Sequence, residues 1–282
     1  MPAPHQPQDD AARGHGTAGE LAEDRRIGTD DLTDWPTRFG SAIARWLAEK
    51  LGPYAALLIS LAVGLAIAFA LSVIAVEVYD AVTDEDGVAG LDRPLLDLSL
   101  QYRNPTTDAV ITAITDVAGT IGMPIIAISA MLILGIRRRS WTPLILITVA
   151  AAGSLLMTVA GKELIGRERP PMVDAVPPYE YSPSFPSGHT LNAVVVVGII
   201  VYLILLRQHS RRTRILTITG GVVFALVIGL SRVYLGHHWF TDVLAGWLLG
   251  AAWLALVITA HRIYLTARAH RPAGPAPSDR AS

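Results

Sequence analysis

Asp242 follows His238 by four residues, and residues four apart at the start of a helix share a face. The carboxylate can accept a hydrogen bond from one ring nitrogen of the imidazole, fix the tautomer and leave the other nitrogen as a nucleophile. Arg232, next to Ser231, lies six residues before His238. Lys162 and Arg169 form a second fragment, with Pro170 holding the chain extended at Arg169. Pro186, Ser187, Gly188 and His189 form a third. Ser187 is a natural N-cap, Gly188 permits close backbone approach, and free N–H groups at a helix start attract phosphate. His189 then stands beside the bound anion as a general acid. Guanidinium forks and an ammonium are what an oxyanion with several equatorial oxygens needs. Together the three fragments supply three cations, two imidazoles and one carboxylate, the parts of a phosphoryl-transfer site.

Each fragment has a plainer reading taken alone. His238 and Asp242 can be a pair capping a helix at a membrane interface, and His189 an interfacial histidine after an ordinary cap. Cations at span ends can reach lipid headgroups, and Arg93, Arg103 and Arg167 are assigned to that role. His237 is assigned to the interface, and His5, His15, His209, His261 and His270 show no partners in the sequence.

The elements that must position these residues are apolar. Hydrophobic residues make up 51% of the chain and charged ones 17%, with a mean hydropathy of +0.42, which points to a membrane class. Cysteine is absent, which excludes a disulfide framework and a thiolate site. A net charge of −1 gives no electrostatic case for nucleic acid. Spans of roughly 20 apolar residues are expected at Tyr54–Val76, Val117–Ile136, Trp141–Ala160, His189–Leu206, Ile215–Leu230 and Trp239–Ala260. The fold class is therefore an all-α integral membrane protein, a six-helix bundle domain covering 54–264 with the three fragments at one end. Residues 1–40 and 265–282 are polar or rich in Pro and Ala and read as disordered tails without a signal peptide. Residues 41–53 read as a short interfacial helix.

With the N-terminus cytoplasmic, 17 of the 23 Lys and Arg residues fall on inner segments. Both termini are then inside, and all three fragments sit on the outer face. Leu91, Leu95 and Leu98 fall at helical spacing, so 91–104 is expected to form an amphipathic helix along the outer membrane surface, or a lid over the site. Trp247 and Trp253 read as helix-packing residues, and Gly246 with Gly250 as a close-approach pair within the bundle.

The three fragments resemble the type 2 phosphatidic acid phosphatase superfamily, whose pattern is K-x6-R-P, then P-S-G-H, then S-R-x5-H-x3-D. Lys162, Arg169, Pro170, Pro186 to His189, Ser231, Arg232, His238 and Asp242 match it without departure. The resemblance implies a metal-independent enzyme without a cofactor. In it His238 attacks phosphorus to form a phosphohistidine, Asp242 orients His238, and His189 protonates the leaving oxygen and then activates water. Lys162, Arg169, Arg232, Ser187 and Gly188 hold the phosphoryl oxygens. A site at the membrane surface suits a lipid phosphate: a polyprenyl diphosphate such as undecaprenyl diphosphate, phosphatidate, or phosphatidylglycerol phosphate. A phosphotransferase with a non-water acceptor is the main alternative. A metal site built on His189, His238 and Asp242 is disfavoured by three neighbouring cations. A non-enzymatic anion transporter would carry its charges deep within spans, whereas these lie at span ends. Six spans do not suit the soluble haloperoxidases that share the motif. The sequence leaves the oligomeric state open.

Overall fold

The computed structural model describes residues 26–27, 30–31, 55–84 and 86–269. The expected interfacial helix at 41–53 and most of both tails lie outside the described residues. Within the N-terminal segment, Arg26–Ile27 and Asp30–Asp31 pair antiparallel, Arg26 opposite Asp31.

The described chain is otherwise helical. The helices are α1 (Ala55–Asp84), α2 (Asp92–Gln101), α3 (Pro105–Asp116), α4 (Gly122–Arg138), α5 (Thr142–Ile165), α6 (Gly188–Leu205), α7 (Arg211–Tyr234) and α8 (Phe240–Ala269). Five of them, α1, α5, α6, α7 and α8, are long and apolar enough to cross a membrane. The remaining expected span starts at Gly122 rather than Val117 and has 17 residues. Residues 117–121 instead form a tight turn, in which a Cβ on Gly122 would come within 2.4 Å of the Val117 carbonyl. Other helices run past their expected ends, α5 to Ile165 and α7 over Arg211–Tyr234, and α1 and α8 by the most. Helix α1 continues past Glu77 and Asp80 to Asp84, because charge ends an apolar run without breaking a helix. Helix α8 runs to Ala269, since no helix breaker occurs before Pro272.

Helix α6 is the central element. Leu191, Val195, Val196, Ile199 and Leu203 are buried against Ile147 and Ala150 of α5, Ile228 of α7 and Val257 of α8. A single π turn at Ala193–Val197 interrupts its α geometry. Close approach is made where large residues cover small ones. The Trp253 ring lies over Gly153 and Trp247 over Gly229, each indole N–H donating to a helix carbonyl, of Ala150 and Ala225. Gly246 and Gly250 face Thr190 and Val194 of α6, so this pair serves packing inside the bundle, as expected. Apolar side chains such as Ile125, Leu132, Leu156, Val223 and Leu230 remain exposed on the outside, as a lipid-facing surface requires.

Helices α2 and α3 lie at the end of the bundle that carries the motif residues. Helix α2 forms as expected but turns a different face inward: Asp92 and Leu96 are buried, while Leu91 and Leu98 are exposed. It packs on α7 and α8, with Asp92 making the contacts described below. Helix α3 was not anticipated. Its start is a capping box: Asn104 Oδ1 accepts from the Thr106 and Thr107 N–H groups, and Thr107 Oγ1 accepts from the Asn104 N–H, with Pro105 at the first position.

Candidate active site

The spacing between Arg232 and His238 has a local cause. Helix α7 ends in a Schellman turn: the Gly236 N–H bonds to the Val233 carbonyl at 3.0 Å and the His237 N–H to the Arg232 carbonyl at 3.1 Å. Gly236 takes φ +70°, and a Cβ there would stand 2.2 Å from the Asp174 carbonyl, so both conformation and space require glycine. Arg103 secures the same turn, donating from Nε to the Tyr234 carbonyl at 2.9 Å and from Nη1 to the Asp174 carbonyl at 2.5 Å. The turn folds His238 back toward Arg232, and the His238 N–H also reaches the Arg232 carbonyl at 3.3 Å.

His238 precedes α8 rather than lying on it, and the expected pairing with Asp242 is made across the helix start. Asp242, three residues after the N-cap, points its carboxylate back, where Oδ2 accepts from the Trp239 N–H at 2.9 Å and lies 3.3 Å from His238 Nδ1. Ser184 Oγ donates to the same oxygen. Oδ1 accepts from Arg167 Nη1 at 2.5 Å. Both carboxylate oxygens are thus committed to donors. His238 is 1% exposed and Asp242 0%.

The other face of the His238 ring is set by Arg169. Its Nη1 lies 3.3 Å from His238 Nε2 and 2.5 Å from the His237 carbonyl. A guanidinium can only donate, so Nε2 carries the lone pair and Nδ1 the proton shared with Asp242. Burial, and then the charges of Arg169 and Arg232, push the His238 pKa well below the ordinary histidine value. The imidazole is neutral at physiological pH and presents an unprotonated nitrogen.

Around this ring the remaining motif residues converge. Gly166, at φ +64°, ends α5 one turn after Lys162 and turns the chain so that Arg167 and Arg169 return to the site. Lys162 Nζ donates to Ser182 Oγ at 3.0 Å and to the Pro183 carbonyl. Arg232 is 2% exposed; its Nη1 reaches Thr115 Oγ1 of α3 at 3.4 Å, and its Nε has no partner among the described residues. Ser187 occupies the N-cap of α6, but its hydroxyl accepts from Thr190 Oγ1 at 2.9 Å instead of from a backbone N–H. Its own N–H donates to the Asp242 carbonyl at 3.1 Å, tying the start of α6 to the start of α8. A Cβ on Gly188 would stand 2.9 Å from Thr158 Cγ2, so α5 and α6 close on one another here. The His189 ring lies beside Gly119 and makes no hydrogen bond among the described residues.

Five residues take other places than the sequence suggests. Arg167 is no lipid anchor: besides Asp242 it binds Thr241 Oγ1 at 2.8 Å and Asp92 Oδ2 at 2.8 Å, and it lies over the Trp239 ring. Asp92 also accepts from the Thr241 N–H at 2.8 Å, which caps α8 from outside. Arg93 pairs with Asp97 and Asp174, and Arg103 with the carbonyls above, because nearby protein acceptors are fixed in place. His237 is buried, its Nε2–H donating to the Val176 carbonyl at 2.6 Å, and His261 pairs with the Tyr202 hydroxyl at 2.9 Å. Thr115 and Asp92 went unrecognised, as did Glu180, whose carboxylate meets both Arg169 and Arg232. For Thr115 the Asn104-Pro105 cap was the available signal.

Lys162, His189, Arg232 and His238 all line one cavity of about 1320 Å³. Away from these polar groups its wall is Met123, Ala127, Ile128, Met131, Leu155 and Val196, from α4, α5 and α6. The cavity therefore joins a cationic end to an apolar channel.

A family model described as the PAP2 superfamily matches residues 142–264. The chain is 35% identical over 175 residues to phosphatidylglycerophosphatase B of Bacillus subtilis, covering 61% of this chain and 84% of that protein. It is 39% identical over 80 residues to undecaprenyl-diphosphatase of Sulfolobus acidocaldarius, which is 28% of this chain and 33% of that protein. Among solved structures, the crystal structure of a transmembrane PAP2-type phosphatidylglycerolphosphate phosphatase from Bacillus subtilis superposes with a TM-score of 0.63 at 28% identity. The superposition covers 69% of this chain and 95% of that one.

Proposed function

Since the chain belongs to the PAP2 superfamily, we propose that it removes phosphate from a membrane lipid phosphate without a metal, through a phosphohistidine on His238. The observation that carries this reading is the placement of the His238 ring, with Nδ1 3.3 Å from Asp242 and Nε2 3.3 Å from Arg169. Nε2 attacks phosphorus as the bond to the lipid oxygen breaks, and His189 gives that oxygen a proton. Water then attacks the phosphohistidine and gives its proton to His189, and the P–N bond breaks to return Nε2 its lone pair. Arg169, Arg232 and Lys162, with the Ser187 hydroxyl and the Gly188 N–H, hold the charge of the transferred group.

The apolar channel supports a lipid substrate, because a water-soluble phosphate would leave it exposed to no purpose. Phosphatidylglycerol phosphate is the first candidate by relationship, ahead of phosphatidate and undecaprenyl diphosphate. Helix α4 counts as the sixth span: 17 residues rise about 25 Å, near the lower limit for crossing a bilayer core. The distribution of Lys and Arg supports a cytoplasmic side for both ends of the bundle domain and an outer-face cavity.

The test is phosphate release by the purified full-length chain from each of these three lipids in detergent, with a chelator present. Turnover of phosphatidylglycerol phosphate to free inorganic phosphate is expected. Release from none of the three, or only in the presence of added divalent metal, would overturn the reading.

A further inference from the structure

The phosphoryl site already holds an anion, and it comes from the chain itself. Glu180 lies between α5 and α6, and its two oxygens go to different guanidiniums. Oε2 is 2.8 Å from Arg169 Nη2, and Oε1 bonds to Arg232 Nη2. Oε1 is also 3.9 Å from His237 Nδ1, a buried nitrogen with no hydrogen-bond partner among the described residues. A carboxylate shared between two guanidinium forks reproduces two oxygens of a phosphoryl group. Glu180 lines the same cavity as His189 and His238. A phosphoryl group at His238, held by Arg169 and Arg232, needs the place where the Glu180 carboxylate stands.

We propose that Glu180 is an internal ligand that competes with incoming anions for Arg169 and Arg232. It thereby sets the affinity threshold a headgroup must pass. The inference rests on the phosphoryl-site reading above. A phosphomonoester or the terminal group of a diphosphate brings up to two charges and three free oxygens, enough to take both arginines and Lys162. A phosphodiester brings one charge and two free oxygens, the same as the carboxylate it must displace. Phosphodiester lipids are the bulk of a phospholipid membrane, and without a threshold they would fill the site by mass action.

The segment that carries Glu180 is held by side chains more than by its own backbone. Its neighbours in sequence are anchored, Val176 N–H to the Leu235 carbonyl and Ser184 N–H to the Arg167 carbonyl. Between them, residues 177–183 make no backbone–backbone hydrogen bond among the described residues. They are tethered through Ser182 and Pro183 to Arg169 and Lys162, the cations an incoming phosphate would engage. The Glu180 side chain is 29% exposed, which gives it a path outward.

Competition of this kind makes a quantitative statement. Removing the internal ligand strengthens every anion that must displace it by one common factor, whatever that anion's own affinity. The experiment is calorimetric titration of the full-length chain in detergent with inorganic phosphate, and separately with dihexanoyl phosphatidylglycerol as a soluble phosphodiester. Binding is read directly, so the result stands apart from whether any lipid is turned over. Glu180→Gln keeps the shape and removes the charge; both dissociation constants are expected to fall by about tenfold or more, in equal proportion. Glu180→Asp keeps the charge but is too short to span both arginines, and should give a smaller fall for both ligands. It also serves as the second variant should Glu180→Gln fail to fold. Dissociation constants that stay the same or rise in both variants would show that Glu180 positions the arginines instead of competing for them. A fall for phosphate alone would overturn the threshold against phosphodiesters.

Discussion

Arg169 places Nη1 3.3 Å from Nε2 of His238, so the cation proposed to meet the phosphoryl group also disfavours a protonated His238 ring. Burial is the larger cause of the lowered His238 pKa, with Arg169 and Arg232 next. The sign follows: a histidine whose pKa is lowered stays neutral as pH falls below about 6.5, its ordinary value. The acid limb of kcat/KM should therefore lie below that pH in the wild type. In Arg169→Gln it should move upward, because one of the charges that disfavours imidazolium is gone. Hydrolysis of p-nitrophenyl phosphate by the two proteins across pH 4–9 checks this, since the titration of the substrate itself is common to both. An unmoved or lower limb would separate Arg169 from the ionisation of His238.

Arg167 holds two buried carboxylates, Asp92 and Asp242, on one guanidinium. Arg167→Ala leaves both without their cation, a change that costs roughly 3–5 kcal/mol where a buried pair is broken. It should lower the thermal unfolding midpoint in detergent and reduce kcat by about 10²-fold or more as His238 loses its orienting partner. Arg167→Lys keeps one charge but cannot fork between the two acids, and should recover only part of each loss. A mere headgroup anchor would tolerate both changes in detergent, with kcat unaltered.

The contrast between Arg167 and Arg169 shows what the sequence could and could not tell. Arg232, His238 and Asp242 are brought together by a helix-end turn and a helix-start cap, both local, so their spacing alone was informative. Arg167 works through Asp92, 75 residues away, on a helix whose inward face is chosen by that very contact. An arginine at a span end looks the same whether it meets lipid or a carboxylate folded in from elsewhere. Glu180 lies in a loop with no period to read, and its role depends on two arginines from different elements, Arg169 in the segment after α5 and Arg232 on α7. Helix α3 is another case: Asn104, Pro105 and Thr107 spell a helix start, but its function, bringing Thr115 to Arg232, is a tertiary contact.

The outer-face placement can be tested with single cysteines, because the chain has none of its own. Ser184 and Thr241 border the site but are fully buried and bonded into it, so they are poor probes. Val173, 90% exposed between α5 and α6, and Ser210, exposed between α6 and α7, are suitable. Val173→Cys should react with an impermeant thiol reagent applied to intact cells, and Ser210→Cys only after the membrane is opened. The reverse pattern would put the catalytic cavity on the cytoplasmic face.

The two histidines of the cavity should divide the reaction between leaving oxygen and phosphorus. A lipid alkoxide is a poor leaving group that needs a proton, whereas p-nitrophenolate leaves readily without one. The His189 ring, free of hydrogen bonds among the described residues, is available to provide that proton, while His238 is held by Asp242 and Arg169. His189→Ala should therefore slow lipid phosphate cleavage by about 10²- to 10⁴-fold while leaving the first step on the aryl ester much less affected. Water attack on the phosphohistidine loses its base in the same variant, so labelled, acid-labile and base-stable phosphoprotein should accumulate with the aryl substrate. His238→Ala should abolish turnover and give no phosphoprotein with either substrate, since a methyl group cannot attack phosphorus. Quench-flow trapping of the labelled protein distinguishes the two variants directly. Label found in the His238 variant and missing from the His189 variant would exchange the roles, and the Asp242–His238 contact would then need another purpose.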